Sequence, residues 1–107
     1  MKKFASAEIQ LDLIIDHSNR PPASLYNEKA WLRWKQKDYE GALEAWQSAI
    51  RLKPTSAAYY AQAAESYVML GNWSKAASYY KKITKLDPQN DRYTRRYREI
   101  MGNDADG

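Results

Sequence analysis

Apolar side chains recur every three or four positions along most of this chain, which is the spacing of one face of an α-helix. In the first segment, Leu11, Ile14 and Ile15 share a face while acidic side chains lie opposite. The pattern predicts helices over residues 4–17, 25–35, 39–52, 57–70, 73–86 and 90–101. Because the connections between them are short, we expect neighbouring helices to be antiparallel.

Residues that begin or end helices stand between these segments. The consecutive prolines at 21–22 cannot continue the first helix. Gly71 suits the turn after the fourth helix, where a positive φ is needed. The predicted N-caps are Ser24, Asp38 and either Thr55 or Ser56.

A sparse pattern of small, aromatic and proline residues occurs twice, 34 residues apart. Ala23, Tyr26, Ala30, Ala42, Leu52 and Pro54 recur as Ala57, Tyr60, Ala64, Ala76, Leu86 and Pro88. Tyr39 and Trp46 are answered by the aromatic residues Trp73 and Tyr80. Small residues let two antiparallel helices approach closely, large rings fill the remaining space, and the proline ends each pair.

The period and these positions resemble the tetratricopeptide repeat family, with repeats at 23–56 and 57–90. Gly71 matches the glycine of the family at the turn between helices, and Lys37 replaces it in the first repeat. Lys29 and Arg33 also depart from the pattern, because the family prefers Leu and an aromatic residue there.

The resemblance implies an all-α fold, in which antiparallel helix pairs stack as a short right-handed solenoid with flanking capping helices. We expect one domain over residues 1–107. Its parts are an N-terminal capping helix and loop (1–22), two repeats (23–90), a C-terminal capping helix (91–101) and a polar tail (102–107).

In this family the first helices of successive pairs line a concave groove that holds partner segments. The resemblance therefore implies a non-catalytic protein-interaction module, acting as an adaptor, a scaffold or a chaperone-like partner. The ligand-binding residues it implies are Asn27, Trp31, Lys35, Gln62, Glu65, Arg92 and Arg96. A large ring in a groove is a typical binding anchor. The alternative for Trp31 is packing against the N-terminal helix or against Lys35.

Some members of the family bind a C-terminal carboxylate through a clamp of Lys, Arg and Asn side chains. Arg92 and Arg96 match its last two basic positions, but Asn27, Trp31 and Gln62 replace its Lys, Asn and Asn. The clamp is incomplete, so we expect a more general preference for acidic segments, which guanidinium groups bind bidentately.

Two other functions are compatible with the sequence. An exposed face of an end helix could mediate self-assembly into a homo-oligomer. The segment "RYTRRYR" could contact phosphates and stack Tyr93 and Tyr97 on bases. The net charge of +4 is modest and no nucleic-acid motif is present, which disfavours nucleic acid. The two tyrosines are four residues apart, so they also suit the buried face of the last helix.

Catalysis, metals and cofactors find no support in the sequence. There is no cysteine, and the single histidine, His17, adjoins Asp16 in the chain, where neighbouring helical residues do not face each other. No glycine-rich phosphate loop is present. Glu8, Asp12 and Asp16 share one face, which we predict to be solvated.

The same acidic residues bear on location. They interrupt the apolar core that a signal peptide would need after Lys2 and Lys3. No run of about 18 apolar residues exists, so we expect no membrane insertion. We predict a cytoplasmic protein.

Overall fold

A computed structural model describes residues 2–17 and 19–106, and the side chains of residues 6–17 and 19–102. Within these ranges the chain is helical, with no β-strand. The helices are α1 (Lys2–His17), α2 (Ala23–Lys35), α3 (Tyr39–Leu52), α4 (Ala57–Met69), α5 (Trp73–Leu86) and α6 (Asp91–Asp106). The all-α prediction is confirmed.

Side-chain caps begin three of the helices. The side chains of Asp38, Ser56 and Asn72 accept hydrogen bonds from the backbone N–H groups of Gly41, Tyr59 and Lys75, at 3.0, 3.4 and 3.1 Å. The caps predicted at Asp38 and Ser56 are confirmed.

The predicted N-cap at Ser24 is wrong. Pro22 takes the N-cap position with an extended backbone (φ −69°, ψ 153°), and its carbonyl accepts from Leu25 N at 3.1 Å. Ser24 therefore lies inside the first turn of α2. The fixed φ of proline suits this junction, so the helix begins at Ala23, two residues earlier than a side-chain cap at Ser24 would dictate.

The two turns that follow α2 and α4 have the same geometry. Lys37 and Gly71 occupy equivalent positions and both have positive φ, 63° and 79°. The next residue, Asp38 or Asn72, donates its backbone N–H to a carbonyl five residues back, Arg33 or Tyr67, at 2.9 Å in both turns. These are the bonds of a Schellman helix end, which favours glycine. The first repeat builds the same turn from a lysine.

The contacts divide the chain into two compact units, Met1–Pro54 (unit 1) and Thr55–Gly107 (unit 2). In unit 1, α2 and α3 form an antiparallel pair. Ala30, Ala42 and Ala49 are fully buried, and the large ring of Trp46 fills the space beside them, also without exposure. This is the packing that the repeat predicts, since small residues permit close approach and an aromatic residue fills the remainder.

Unit 2 pairs α4 with α5 and adds α6. Its fully buried side chains include Ala64, Ala76, Ile83 and Ile100. Ile100 lies on α6, so the last helix contributes directly to the core.

The last helix is longer than predicted. It continues to Asp106, so the segment expected to be a polar tail is helical as far as that residue. Residues 102–106 contain no proline, and the cost of their single glycine, Gly102, is about 1 kcal/mol, which does not end a helix that is already formed.

None of the helices in the described part of the chain combines the length and the apolar composition that crossing a bilayer requires.

Candidate functional site

Asn27 supports the core of unit 1. Its side-chain oxygen accepts a hydrogen bond from Trp46 Nε1 at 2.9 Å. Trp46 is fully buried, and a buried indole N–H needs a partner. Asn27 therefore satisfies the polar atom of the largest core residue and fixes the orientation of that ring.

Trp31 lies against this ring. It is half-buried and makes edge-to-face contacts with Trp46 and Trp34, with ring centroids 5.1 and 6.3 Å apart. Trp34 and Trp46 also meet at 5.9 Å, and Trp34 meets Tyr39 at 4.8 Å. We call Trp31, Trp34 and Trp46 the tryptophan cluster. Edge-to-face geometry is favourable for aromatic rings, so the cluster holds Trp31 in place.

The remaining side of Trp31 borders a cleft between α1 and α2, with a volume of about 570 Å³. Its lining residues are Ala7, Gln10, Leu11, Ile14, Glu28, Trp31, Leu32 and Lys35. We call it the α1–α2 cleft. Its lining is mainly apolar, and Lys35 is exposed beside it. Trp31 thus packs on Trp34 and Trp46 and also lines a cleft with residues of α1, and its contact with a ligand stays a prediction.

Ion pairs join α1 to α2. Lys29 Nζ lies 2.6 Å from Asp12 Oδ1, and Arg33 Nε pairs with Glu8. The prediction that Glu8 and Asp12 belong to a solvated face is therefore wrong. Two acids four residues apart on α1 meet two bases four residues apart on α2. This pairing accounts for Lys29 and Arg33 at positions where the family prefers apolar side chains.

Arg33 also reaches the cap of α3. Its Nη1 donates to Asp38 Oδ2 at 2.7 Å, while Asp38 Oδ1 accepts from Gly41 N. The hydrogen bond from Gly41 and then that from Arg33 lower the pKa of Asp38 below its ordinary value. The hydrogen bond to Asp38 and the nearby charges raise the pKa of Arg33. A side chain at Gly41 would collide with this carboxylate.

In unit 2, Glu65 and Arg96 bind each other. The Glu65 carboxylate accepts from Arg96 Nε at 2.8 Å and from Nη2 at 2.9 Å, one bond to each oxygen. Tyr80 Oη donates to the same carboxylate at 2.5 Å. Arg96 Nη1 also donates to Glu99 at 3.0 Å. We call Glu65, Arg96 and Tyr80 the Glu65 network.

The network shifts the ionisation of all three groups. Burial acts to raise the pKa of Glu65, but hydrogen bonds from Arg96 and Tyr80 outweigh it and hold the pKa below its ordinary value. Burial, followed by the contact with Glu65, strongly raises the pKa of the Tyr80 hydroxyl. The hydrogen bond to Glu65 raises the pKa of Arg96. At neutral pH the pair is therefore charged.

Gln62 and Arg92, also in unit 2, have simpler surroundings. Gln62 is half-buried on α4, and its backbone carbonyl accepts from the buried Ser66 hydroxyl at 3.2 Å. Arg92 is exposed in the first turn of α6, one helical turn before Arg96. Tyr93 packs on Tyr80 with ring centroids 6.4 Å apart, as expected for the buried face of α6.

Five of the seven predicted residues thus fall into two sets. Trp31 and Lys35 line one cleft. Asn27 is linked to Trp31 indirectly, because it binds Trp46, which Trp31 contacts. Glu65 and Arg96 are in direct contact. The concave groove predicted from first helices would draw on both units and stays a prediction.

Sequence reasoning missed Tyr80 and the role of Glu8 and Asp12. The substitution of two apolar family positions by Lys29 and Arg33 was a usable signal. It indicates that an acidic surface lies opposite, and α1 carries acids at the matching spacing.

Among the side chains of residues 6–17 and 19–102, no three acidic or histidine groups converge where they could hold a metal ion. The expectation of no metal and no cofactor stays a prediction.

A model of the tetratricopeptide repeat family matches residues 33–95, more than half of the chain. The chain belongs to the tetratricopeptide repeat family. Both sets of predicted residues are therefore carried by a tetratricopeptide repeat protein, and the resemblance inferred from its 34-residue period is confirmed.

Two curated relatives are each named Protein SGT1 homolog. The one from Bos taurus is 38% identical over 55 residues, which are 51% of this chain and 16% of the relative. The one from Oryza sativa subsp. japonica is 35% identical over 66 residues, which are 62% of this chain and 18% of the relative. This tetratricopeptide repeat chain thus matches less than a fifth of either relative.

A solved structure is also similar: the first TPR of Spaghetti (RPAP3) bound to the HSP90 peptide SRMEEVD. The TM-score is 0.82 with 19% sequence identity, over 97% of this chain and 82% of that chain. At this identity the likeness concerns the fold, which is that of a tetratricopeptide repeat domain.

Proposed function

We propose that this chain is a non-catalytic protein-interaction module that binds a peptide or partner segment, as an adaptor, scaffold or chaperone-like protein. Membership of the tetratricopeptide repeat family supports this, and a protein of similar fold holds a peptide. The observation that carries the proposal is Trp31, held by the tryptophan cluster beside an open apolar cleft. The cytoplasmic location stays a prediction.

In unit 1, the proposed anchor is Trp31. Its two ring contacts already restrict the indole, so little conformational entropy is lost when a partner side chain packs against it. An apolar side chain of the partner enters the α1–α2 cleft, and Lys35 beside it attracts an acidic residue. Asn27 contributes indirectly, because it orients Trp46, on which Trp31 rests.

In unit 2, the proposed contacts are with acidic groups of the partner. Arg92 and Arg96 are four residues apart on α6, so they share a face of that helix. Gln62 and Glu65 lie on α4, and Glu65 already contacts Arg96. Arginine binds carboxylates through two parallel hydrogen bonds, which favours acidic partners.

Calorimetric titration of the protein with the peptide SRMEEVD tests the proposal. Trp31→Ala and Arg96→Glu are each expected to weaken binding by about tenfold or more, as anchor residues do. Trp31→Phe keeps an aromatic ring and is expected to retain most of the affinity.

Arg98→Glu is the matched control for Arg96→Glu, because it makes the same charge change at an exposed position of the same helix. If Trp31→Ala and Arg96→Glu both bind as the wild type does, the proposal fails. If Arg98→Glu weakens binding as much as Arg96→Glu, the effect of α6 is only its overall charge.

Self-assembly is a second candidate, favoured by one observation. Ile9 and Leu13 lie four residues apart on α1 and are 60% and 53% exposed, so they form an apolar strip. Light scattering after gel filtration tests it, and a monomer at micromolar concentration excludes it. Nucleic-acid binding has less support, because Tyr93, one of the two rings expected to stack on bases, packs on Tyr80.

A further inference from the structure

Arg96 already holds a carboxylate in the way that it would hold one from a partner. Each Glu65 oxygen takes one guanidinium N–H, at 2.8 and 2.9 Å. This two-bond arrangement is the preferred geometry of arginine with any carboxylate. Glu65 therefore fills the position that an incoming acidic residue would take on the Nε and Nη2 edge of the guanidinium.

The pair can open without leaving Glu65 unpartnered. The Glu65 and Arg96 side chains are 29% and 32% exposed, so water and a competing group can reach both. Tyr80, which lies on α5, also donates a hydrogen bond from its hydroxyl to the Glu65 carboxylate, independently of Arg96 on α6. If Arg96 turns to another carboxylate, Tyr80 and water still solvate Glu65, which lowers the cost of exchange.

We propose that Glu65 is an internal competitor for Arg96 and sets the threshold for binding acidic segments. This inference rests on the proposed function. A partner carboxylate binds Arg96 by displacing Glu65, so an isolated acidic residue gains little from the exchange. A segment with two acidic residues gains more, because Arg92 lies exposed one turn away on the same face of α6. Glu65 thus selects segments with neighbouring carboxylates.

The test compares Glu65→Gln with the wild type in the full chain, with a tetraglutamate peptide as probe and tetraglutamine as its uncharged counterpart. Apparent affinity falls by the fraction of protein that is competent to bind. If Glu65 occupies Arg96 nine-tenths of the time, its removal tightens tetraglutamate binding about tenfold. Calorimetry gives the affinity, and the NMR signal of Arg96 Nε–H shows whether the peptide reaches that group.

Glu99→Gln is the matched control. Glu99 also accepts from Arg96, but through one bond of 3.0 Å to Nη1, and its side chain is 61% exposed. The same loss of negative charge beside Arg96 is expected to change tetraglutamate affinity by less than about twofold. Glu65→Asp keeps the negative charge but shortens the side chain, so its carboxylate competes less well for Arg96. Its affinity for tetraglutamate is expected to lie between that of the wild type and that of Glu65→Gln.

Three results overturn the inference. In the first, Glu65→Gln and Glu65→Asp are folded by circular dichroism yet bind tetraglutamate no more tightly than the wild type. In the second, Glu99→Gln tightens binding as much as Glu65→Gln, which makes the effect one of net charge. In the third, the Arg96 Nε–H signal is unchanged when the peptide saturates the protein. If SRMEEVD still binds in a Trp31-dependent way, only this inference fails; if neither peptide binds any variant, the proposed function fails with it.

Discussion

The two end helices are attached to their neighbours in different ways. In unit 1, α1 is joined to α2 by the ion pairs of Glu8 and Asp12, and its apolar residues border an open cleft. In unit 2, α6 places Ile100 in the core with no exposure. Partly exposed ion pairs contribute little to the free energy of unfolding and weaken as salt rises. Removing a buried aliphatic side chain from the core leaves a cavity, which costs considerably more. The first helix is therefore the more readily displaced, and the last is part of its core.

The largest expected effect comes from emptying the core position on α6. Ile100→Ala is expected to lower the free energy of unfolding by about 2–5 kcal/mol, the usual cost of truncating a fully buried aliphatic residue. Leu11→Ala on α1 is expected to cost less, because Leu11 borders the α1–α2 cleft and water can enter the space. Urea unfolding measures both. Met101→Ala, at a residue 41% exposed beside Ile100, is the control. Equal losses from Ile100→Ala and Leu11→Ala would remove the distinction between the end helices.

The next effect tests the support behind the tryptophan cluster. Asn27→Leu removes the acceptor of Trp46 Nε1 and is expected to cost about 1–3 kcal/mol, the penalty of an unpartnered buried donor. Thermal or urea unfolding measures it. Asn27→Asp keeps an acceptor oxygen at the same reach and is the control. If Asn27→Leu left the free energy of unfolding unchanged, water would be replacing the amide as acceptor, and unit 1 would not need this hydrogen bond.

A smaller effect compares the equivalent turns of the two units. Lys37→Gly is expected to stabilise the protein by up to about 1 kcal/mol, because glycine adopts positive φ without the steric penalty of a side chain. Gly71→Ala is expected to destabilise it by a similar amount. No atom lies within 4 Å of a Cβ added at Gly71, so the loss would come from the backbone alone. The denaturation midpoints of the two variants measure these changes. If both variants shifted the midpoint in the same direction, the two turns would not share one geometry.

The last prediction concerns acid. The pKa of Asp38 in unit 1 and that of Glu65 in unit 2 both lie below their ordinary values, 3.8 and 4.5. A depressed pKa stabilises the folded state above the ordinary value, and this stability is lost as the pH falls through the folded pKa. Stability should therefore decline as the pH drops below the ordinary carboxyl range. Glu65→Gln and Asp38→Asn should each flatten that decline in urea unfolding measured across pH. A variant with an unchanged slope would show that its carboxylate is not held in this way.

The helices and their period could be predicted because they depend on local spacing. Alanine, aromatic and proline positions repeat, and Asp38 and Ser56 cap as their residue types favour. The start of α2 was missed, since Pro22 displaces the expected cap at Ser24. The end of α6 was also missed, because nothing local in the last residues forces the helix to stop.

The partners of the candidate site residues could not be predicted in the same way. Helical projection places Arg96 and Glu65 on their helices, but the bond between them joins residues 31 positions apart. The bond between Asn27 and Trp46 spans 19 positions. Such pairs depend on how helices pack, which one-dimensional spacing does not contain. Lys29 and Arg33 depart from the family pattern, but their partners Asp12 and Glu8 were predicted to lie on a solvated face, so these pairs were missed as well.

The tryptophan cluster gives unit 1 an optical signature of its own. Three of the four indoles in the chain lie in this cluster, and the fourth, Trp73, is in unit 2. Rings this close exchange excitation and couple their electronic transitions. Tryptophan emission and near-ultraviolet circular dichroism will therefore follow unit 1 predominantly. Unit 2 holds Trp73 and most of the tyrosines, which absorb and emit at shorter wavelengths than tryptophan. The tryptophan signals of the unlabelled chain can thus report mainly on unit 1, without an attached dye.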